Sequence, residues 1–290
     1  MATSELTLPR AAAGRPRRRR KWPIHLGLIL FGLVLLYPLL WMLASSFKPT
    51  AEIFTQPGLI PSQWRLENYP EGWEALRHPF SRYLMNSAMV VMGAVVGNLV
   101  ACSLAAYAFA RLEFPGKKLW FAVMLGTIML PIHVIIVPQY ILFSQLEWIN
   151  TFYPLIVPKF LATDAFFIFL MVQFIRALPR ELDDAARIDG CGHFGIFLRV
   201  ILPLSVPALA TTAIFTFIWT WNDFFSQLIF LTSPDLYTVP VALRTFVDAT
   251  SATPWGPLFA MSIVAIGPIF GFFLAGQRYL VQGIATTGIK

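Results

Sequence analysis

Four carboxylates crowd one short stretch of this chain, Glu181, Asp183, Asp184 and Asp189, within the segment PRELDDAARIDGCGHFGIFLRVILPLSVP. The chemistry these residue types support is recognition. Glu181, Asp183 and Asp184 sit on what would be the first turn of a helix opened by Pro179, where the helix dipole favours negative charge. Gly190 and Gly192 offer places to stop, since glycine enters the left-handed region freely. Leu182, Ala185, Ala186 and Asp189 recur at helical spacing and share one nearly smooth face. A short helix with an Ala face and a carboxylate edge can serve as a docking element. A solvated loop helix, with its Ala residues reflecting helix propensity alone, is the plainer alternative.

Other reactive residue types are scattered. His25, His78, His133 and His193 each lack a second ligand at metal spacing and read as isolated packing or interface residues. No metal site and no nucleophile–base pair emerges, so no catalytic residue is assigned. Gly116-Lys117-Lys118 hints at a phosphate loop, but the G-x-x-x-x-G-K-[ST] spacing is absent, which excludes ATP hydrolysis by that route. Cys102 and Cys191 read as small packing residues rather than a disulfide.

Around these residues the chain is strongly apolar: 57% hydrophobic and 13% charged, against about 25% charged for soluble domains. That predicts an all-α polytopic membrane protein. Apolar runs near 24–44, 83–109, 119–143, 152–174, 200–221 and 258–280 each approach the ~20 residues a bilayer core requires. Pro38 is expected to kink the first, and Pro131 and Pro138 to interrupt the third. The first run is too long for a signal-peptide core and reads as a retained span. Residues 1–22 form a basic N-terminal segment, 23–280 the membrane domain with a loop at 177–200, and 281–290 a tail. Of the 22 Lys and Arg residues, 16 fall on the side of that loop and both termini, and 6 on the other. The excess predicts both termini and the loop in the cytoplasm. The net charge of +7 follows from this topology, and no aromatic-interleaved basic patch suggests nucleic acid.

Polar groups inside hydrocarbon mark a pathway or a helix contact. Trp219, Asn222 and Asp223 close the fifth run. They could bind a sugar by ring packing and hydrogen bonds, but an aromatic belt with a solvated Asp is the favoured reading. Pro131 frees backbone carbonyls that suit a cavity wall. Asn98, Ser103 and Tyr107, among Gly93, Gly97 and other small neighbours, read as helix-to-helix hydrogen bonding.

The run Asp184-Ala185-Ala186, then Asp189-Gly190, Phe197, Pro203, Leu204 and Pro207 resembles the EAA loop of ABC-importer permeases. Asp184 stands where that family has Glu, and Cys191 where it has Ala. Lys48-Pro49, Glu52-Ile53-Phe54, Asn68-Tyr69, Phe114-Pro115-Gly116 and the closing Thr-Thr-Gly-Ile-Lys extend the likeness to the smaller permease of maltose-type carbohydrate importers. The resemblance implies six transmembrane helices with a cytoplasmic coupling helix, the type I importer domain, forming half of a pathway for a di- or oligosaccharide. It implies that Asp184, Ala185, Ala186, Asp189, Gly190, Phe197 and Pro203 couple to ATPase chains, and that Gln282, Gly283 and Lys290 in the tail reach them too. The partners it implies are a second permease, two ATPase subunits that bind ATP and Mg, an extracytoplasmic solute-binding protein and membrane lipid. The chain itself would bind no cofactor. Glycerol-phosphate and polyol importers look alike at this level. An autonomous channel or ion-coupled carrier would instead predict charged residues within spans and an internal repeat, and neither is clear.

Overall fold

The computed structural model describes residues 22–247 and 253–287, with side chains up to residue 278 apart from residue 23. The basic segment before Trp22, the side chain of Gln282 and the whole of Lys290 therefore lie outside the described residues, and Gly283 is described by its backbone alone. In chain order the helices are α1 (Trp22–Ser45), α2 (Asn68–Glu74), α3 (Phe80–Arg111), α4 (Lys117–Thr127), α5 (Ile132–Gln145), α6 (Tyr153–Ile156) and α7 (Ala165–Ala177). There follow α8 (Glu181–Ile188), α9 (His193–Ile196), α10 (Leu202–Leu204), α11 (Val206–Asn222), α12 (Phe225–Phe230), α13 (Val239–Thr245) and α14 (Trp255–Thr287).

Among the described residues, four stretches are long and apolar enough to cross a bilayer: Ile24–Ser45, Phe80–Arg111, Tyr153–Ala177 and Trp255–Arg278. Two more form bent pairs, α4 with α5 at 102°, and His193–Leu204 with α11 at 75°. Counting each pair as one span gives the six expected. The first bend falls at Pro131, which is extended (ψ 136°) and opens α5. Proline lacks the N–H to continue a helix and pushes the preceding residue out of helical conformation. The second falls at Ser205, between Pro203 and Pro207. Pro38 and Pro138, by contrast, lie inside α1 and α5 without ending them.

Helix α3 is the spine, packed against α7, α11 and the segment 153–161. Its glycines permit the closest approach. A Cβ on Gly97 would stand 2.8 Å from the Phe160 ring and 3.0 Å from the Lys159 carbonyl carbon, and one on Gly93 2.9 Å from Ile156. Small residues at such crossings let backbones meet where lipid supplies no hydrophobic drive.

At the end of α3 opposite α8, a folded cap covers the bundle. Lys48, almost wholly buried, donates to Gln56 O at 2.7 Å and to Gly58 O. Asn68 Nδ2 donates to Ser46 O and Lys48 O at 2.8 and 2.9 Å. Asn86 Nδ2 donates to the carbonyls of Asp235 and Tyr237, and Val239 N donates to Ser87 Oγ, tying the loop before α13 to α3. His78 hydrogen-bonds the Asp235 carboxyl and holds it below the usual carboxylate range.

Because the atoms facing Gly97 include backbone, they cannot swing aside. Gly97→Ala is expected to cost about 1–3 kcal/mol, the usual penalty of overpacking. Gly126→Ala, which meets nothing within 4 Å, is expected to be neutral or mildly stabilising. Thermal unfolding of the purified protein checks the contrast.

Candidate functional site

Helix α8 begins two residues beyond Pro179, because Arg180 is the residue whose carbonyl accepts the first amides, from Asp183 and Asp184. Its acidic first turn is as expected, with Glu181, Asp183 and Asp184. It ends at Gly190, which is left-handed at φ 82°. Gly190 N donates to Arg187 O and Cys191 N to Ala186 O, a Schellman closure that satisfies two otherwise orphaned carbonyls.

The expected smooth face is not one face. Ala186 turns inward and is only 7% exposed, packed in a core that includes Ala110, Ile175 and Ile196. Leu182, Ala185 and Asp189 are exposed, as is Asp184, which pairs with Arg187 at 3.2 Å. The reason is Asp183, one residue on from Leu182, whose buried ion pair sets the rotation of the helix. Phe197 is likewise an anchor, buried and tilted against the Tyr107 ring at 5.3 Å. Among the charged groups that α8 and α9 present outward stand three apolar side chains, Leu182, Ile188 at 87% exposure and Phe194. Pro203 is exposed beside the bend and Gly190 meets no neighbour.

Sequence reasoning missed the residue that holds α8. Arg111, the last residue of α3, places Nε 3.2 Å from Asp183 Oδ2, with side-chain exposures of 3% and 8%. Arg111 Nη2 also donates to Leu178 O at 2.8 Å, on the chain entering α8. Beyond α8, Tyr107 OH donates to His193 O at 3.0 Å, so the same turn of α3 also grips the start of α9. Arg111 reads in the sequence as one of three cations in a basic turn, and nothing local marks it as buried.

A second site lies midway along α3. Asp164 Oδ2 accepts from Asn98 Nδ2 at 2.6 Å and from Lys159 Nζ at 2.8 Å, and Asn98 Nδ2 also reaches Thr216 Oγ1 at 3.1 Å. Asn98 thus bonds between helices as expected. Lys159 lies inside the Tyr153–Ala177 span, near its start. The break that admits the pair is a turn of 3-10 helix at Val157–Leu161, followed by left-handed Ala162. Next to this network a cavity of about 180 Å³ is lined by Asp164, Thr127, Ile128, Thr163, Phe166 and Trp219. Of the four pathway candidates only Trp219 lines it. Asn222 Nδ2 donates to Ile218 O on its own helix, Asp223 Oδ1 accepts from Ser226 N as a cap, and Pro131 marks the bend.

Breaking a buried ion pair by removing one partner leaves an uncompensated charge and costs about 3–5 kcal/mol. Arg111→Met and Asp183→Leu are each expected to destabilise to that degree. The double variant is expected to recover most of the loss, since apolar replacement of both partners is often neutral. Denaturant titration of all three proteins gives the coupling.

Comparison with known proteins agrees with this architecture. Residues 93–286 match the family model described as binding-protein-dependent transport system inner membrane component. The chain is 37% identical to the probable ABC transporter permease protein YurM of Bacillus subtilis, over 95% of this chain and 92% of that one. It is 33% identical to the diacetylchitobiose uptake system permease protein NgcG of Streptomyces coelicolor, over 96% and 91%. It is 32% identical to the trehalose/maltose transport system permease protein MalG of Thermococcus litoralis, over 91% and 95%. Among solved structures, a bacterial ABC transporter that imports the acidic polysaccharide alginate superposes with a TM-score of 0.78 at 21% identity, covering 92% of this chain and 99% of that one. The chain is a multi-pass membrane protein and belongs to the family of binding-protein-dependent transport system inner membrane components.

Proposed function

We propose that this chain is one of two permease subunits of an ATP-driven importer for a di- or oligosaccharide, and that α8 is the helix through which ATPase partners drive it. The observation that carries this reading is the combination at α8. Three exposed apolar side chains, Leu182, Ile188 and Phe194, stand among charged groups on a base fixed to α3 by a buried ion pair. A solvated loop helix needs neither feature. A force-bearing contact needs both, since a ligand shifts a conformational equilibrium only by the differential free energy its contacts deliver. Asp184, Ala185, Asp189 and Gly190 lie on the exposed part of the same element, while Ala186, Phe197 and Pro203 set its seat and its exit.

ATP and Mg belong to the partner ATPase chains in this scheme. Gln282, Gly283 and Lys290 extend the contact along the tail, with both termini cytoplasmic by the Lys and Arg excess. A solute-binding protein delivers the sugar on the opposite side. The substrate class rests on the relatives named for trehalose/maltose and diacetylchitobiose transport. Glycerol-phosphate and polyol solutes remain the second choice. The Trp219 cavity, at about 180 Å³, is smaller than the ~300–1,000 Å³ of a site that holds a whole small ligand. This chain would therefore form part of the pathway, and the second permease the rest.

Leu182→Asp and Ile188→Asp place charge on the exposed surface and leave the buried base intact. Each is expected to preserve expression and thermal stability. Each is also expected to weaken capture of the ATPase subunits by about tenfold or more, as charge in the centre of an apolar contact does. Co-purification and ATP hydrolysis by the reconstituted complex provide the readouts. Wild-type capture and hydrolysis by both variants would remove α8 from the mechanism.

A further inference from the structure

Between the end of α3, the start of α4 and the end of α7 lies a recess of about 800 Å³ lined by Glu113, Phe114, Gly116, Lys117, Lys118, Phe121 and Arg176. It contains the Gly116-Lys117-Lys118 run that the transport reading leaves unused. Arg176 is fixed above the Phe121 ring at 5.1 Å and reaches Phe109 O at 3.4 Å, leaving most of its five donors uncommitted. Lys117 Nζ donates to Leu112 O at 2.6 Å and to Glu113 at 3.0 Å, while Lys118 is exposed. Three cations against one carboxylate leave the lining at +2. The Lys117 hydrogen bond lowers the pKa of Glu113, so that carboxylate stays charged and already matched.

Below the cations the lining becomes apolar. Leu119, exposed on α4, the first half of a bent membrane span, lines it with Phe114 and Phe121, and Phe109 packs against both of those rings. Cations above an apolar wall at the edge of a span match a molecule with a phosphate head and acyl tails. We propose that this recess binds the phosphate headgroup of an anionic phospholipid in the leaflet on the α8 side. Basic pockets between membrane helices hold such headgroups through charge and hydrogen bonds, while the tails lie along the helix. Free inorganic phosphate shares the headgroup chemistry and lacks the tails. A protein partner would use the cations alone.

The test uses the complex purified in mild detergent, with lipid retention read by native mass spectrometry. Phosphatidylglycerol is expected to be retained about tenfold better than phosphatidylcholine of the same chains, given the attraction each nearby cation adds. Millimolar inorganic phosphate is expected not to displace it. The double variant Lys118→Gln/Arg176→Gln is expected to bring the two lipids to parity. Glu113→Gln, which removes the opposing charge and no cation, is expected to raise phosphatidylglycerol retention severalfold. Equal retention of both lipids by the unmodified complex would overturn the proposal. Displacement by inorganic phosphate would reassign the recess to a free anion. Loss of the ATPase chains from the double variant with lipid preference unchanged would reassign it to a protein contact.

Discussion

Two opposite charges held out of water at one end of a membrane helix set the geometry on which the rest of this protein rests. The Arg111–Asp183 contact is a weak source of stability, because removing both groups from water offsets most of their attraction. Its value is directional. Asp183 has one oxygen, Oδ1, with no hydrogen-bond partner among the described residues, so its neutralisation depends on Arg111. Any rotation of α8 that separates the two exposes the cost at once. The Leu178 carbonyl, the Schellman closure at Gly190 and the Tyr107–His193 hydrogen bond fix the chain before and after the helix, so α8 sits in a frame with little slack.

The same economy runs along the whole of α3. Hydrocarbon offers no water to satisfy polar groups, so each must find its partner inside the protein. Asn86 meets the loop before α13, Asn98 meets Asp164 and Thr216, and Arg111 meets Asp183. These partners come from three different parts of the chain. One uninterrupted helix therefore registers the cap, the middle of the bundle and the α8 loop against one another. The neighbouring spans are interrupted by prolines or by 3-10 turns, and the interruptions fall where polar side chains or a cavity lie nearby.

The spans were legible because twenty apolar residues in a row have few alternatives, and the bend at Pro131 because proline removes a backbone donor. Gly190 was legible for a similar local reason: only a residue without a Cβ enters that turn cheaply. The orientation of α8 was not. Leu182, Ala185, Ala186 and Asp189 have a helical repeat, but the repeat does not say which side faces the protein, and a charged Asp183 at a buried position inverts the simple expectation. Lys159 and Asp164 escaped notice because each looks like a boundary residue alone. Their pairing with one another is local, but the part Asn98 plays in it is visible only when α3 is brought against the start of α7. The cap around Lys48 shows the converse. Residues recognisable from sequence as a family pattern, such as Lys48, Ile53 and Asn68, turn out to be the ones that close a buried loop.

The continuity of α3 has a mechanical consequence. At 1.5 Å per residue, its 32 residues make a rod of about 48 Å. Pivoted near Gly97, where the crossing is tightest, a tilt of a few degrees moves both ends by roughly 2 Å in opposite senses. A modest push at Arg111 would thus arrive as a contrary and somewhat smaller swing at Asn86, without any intermediate residue changing its neighbours along the helix.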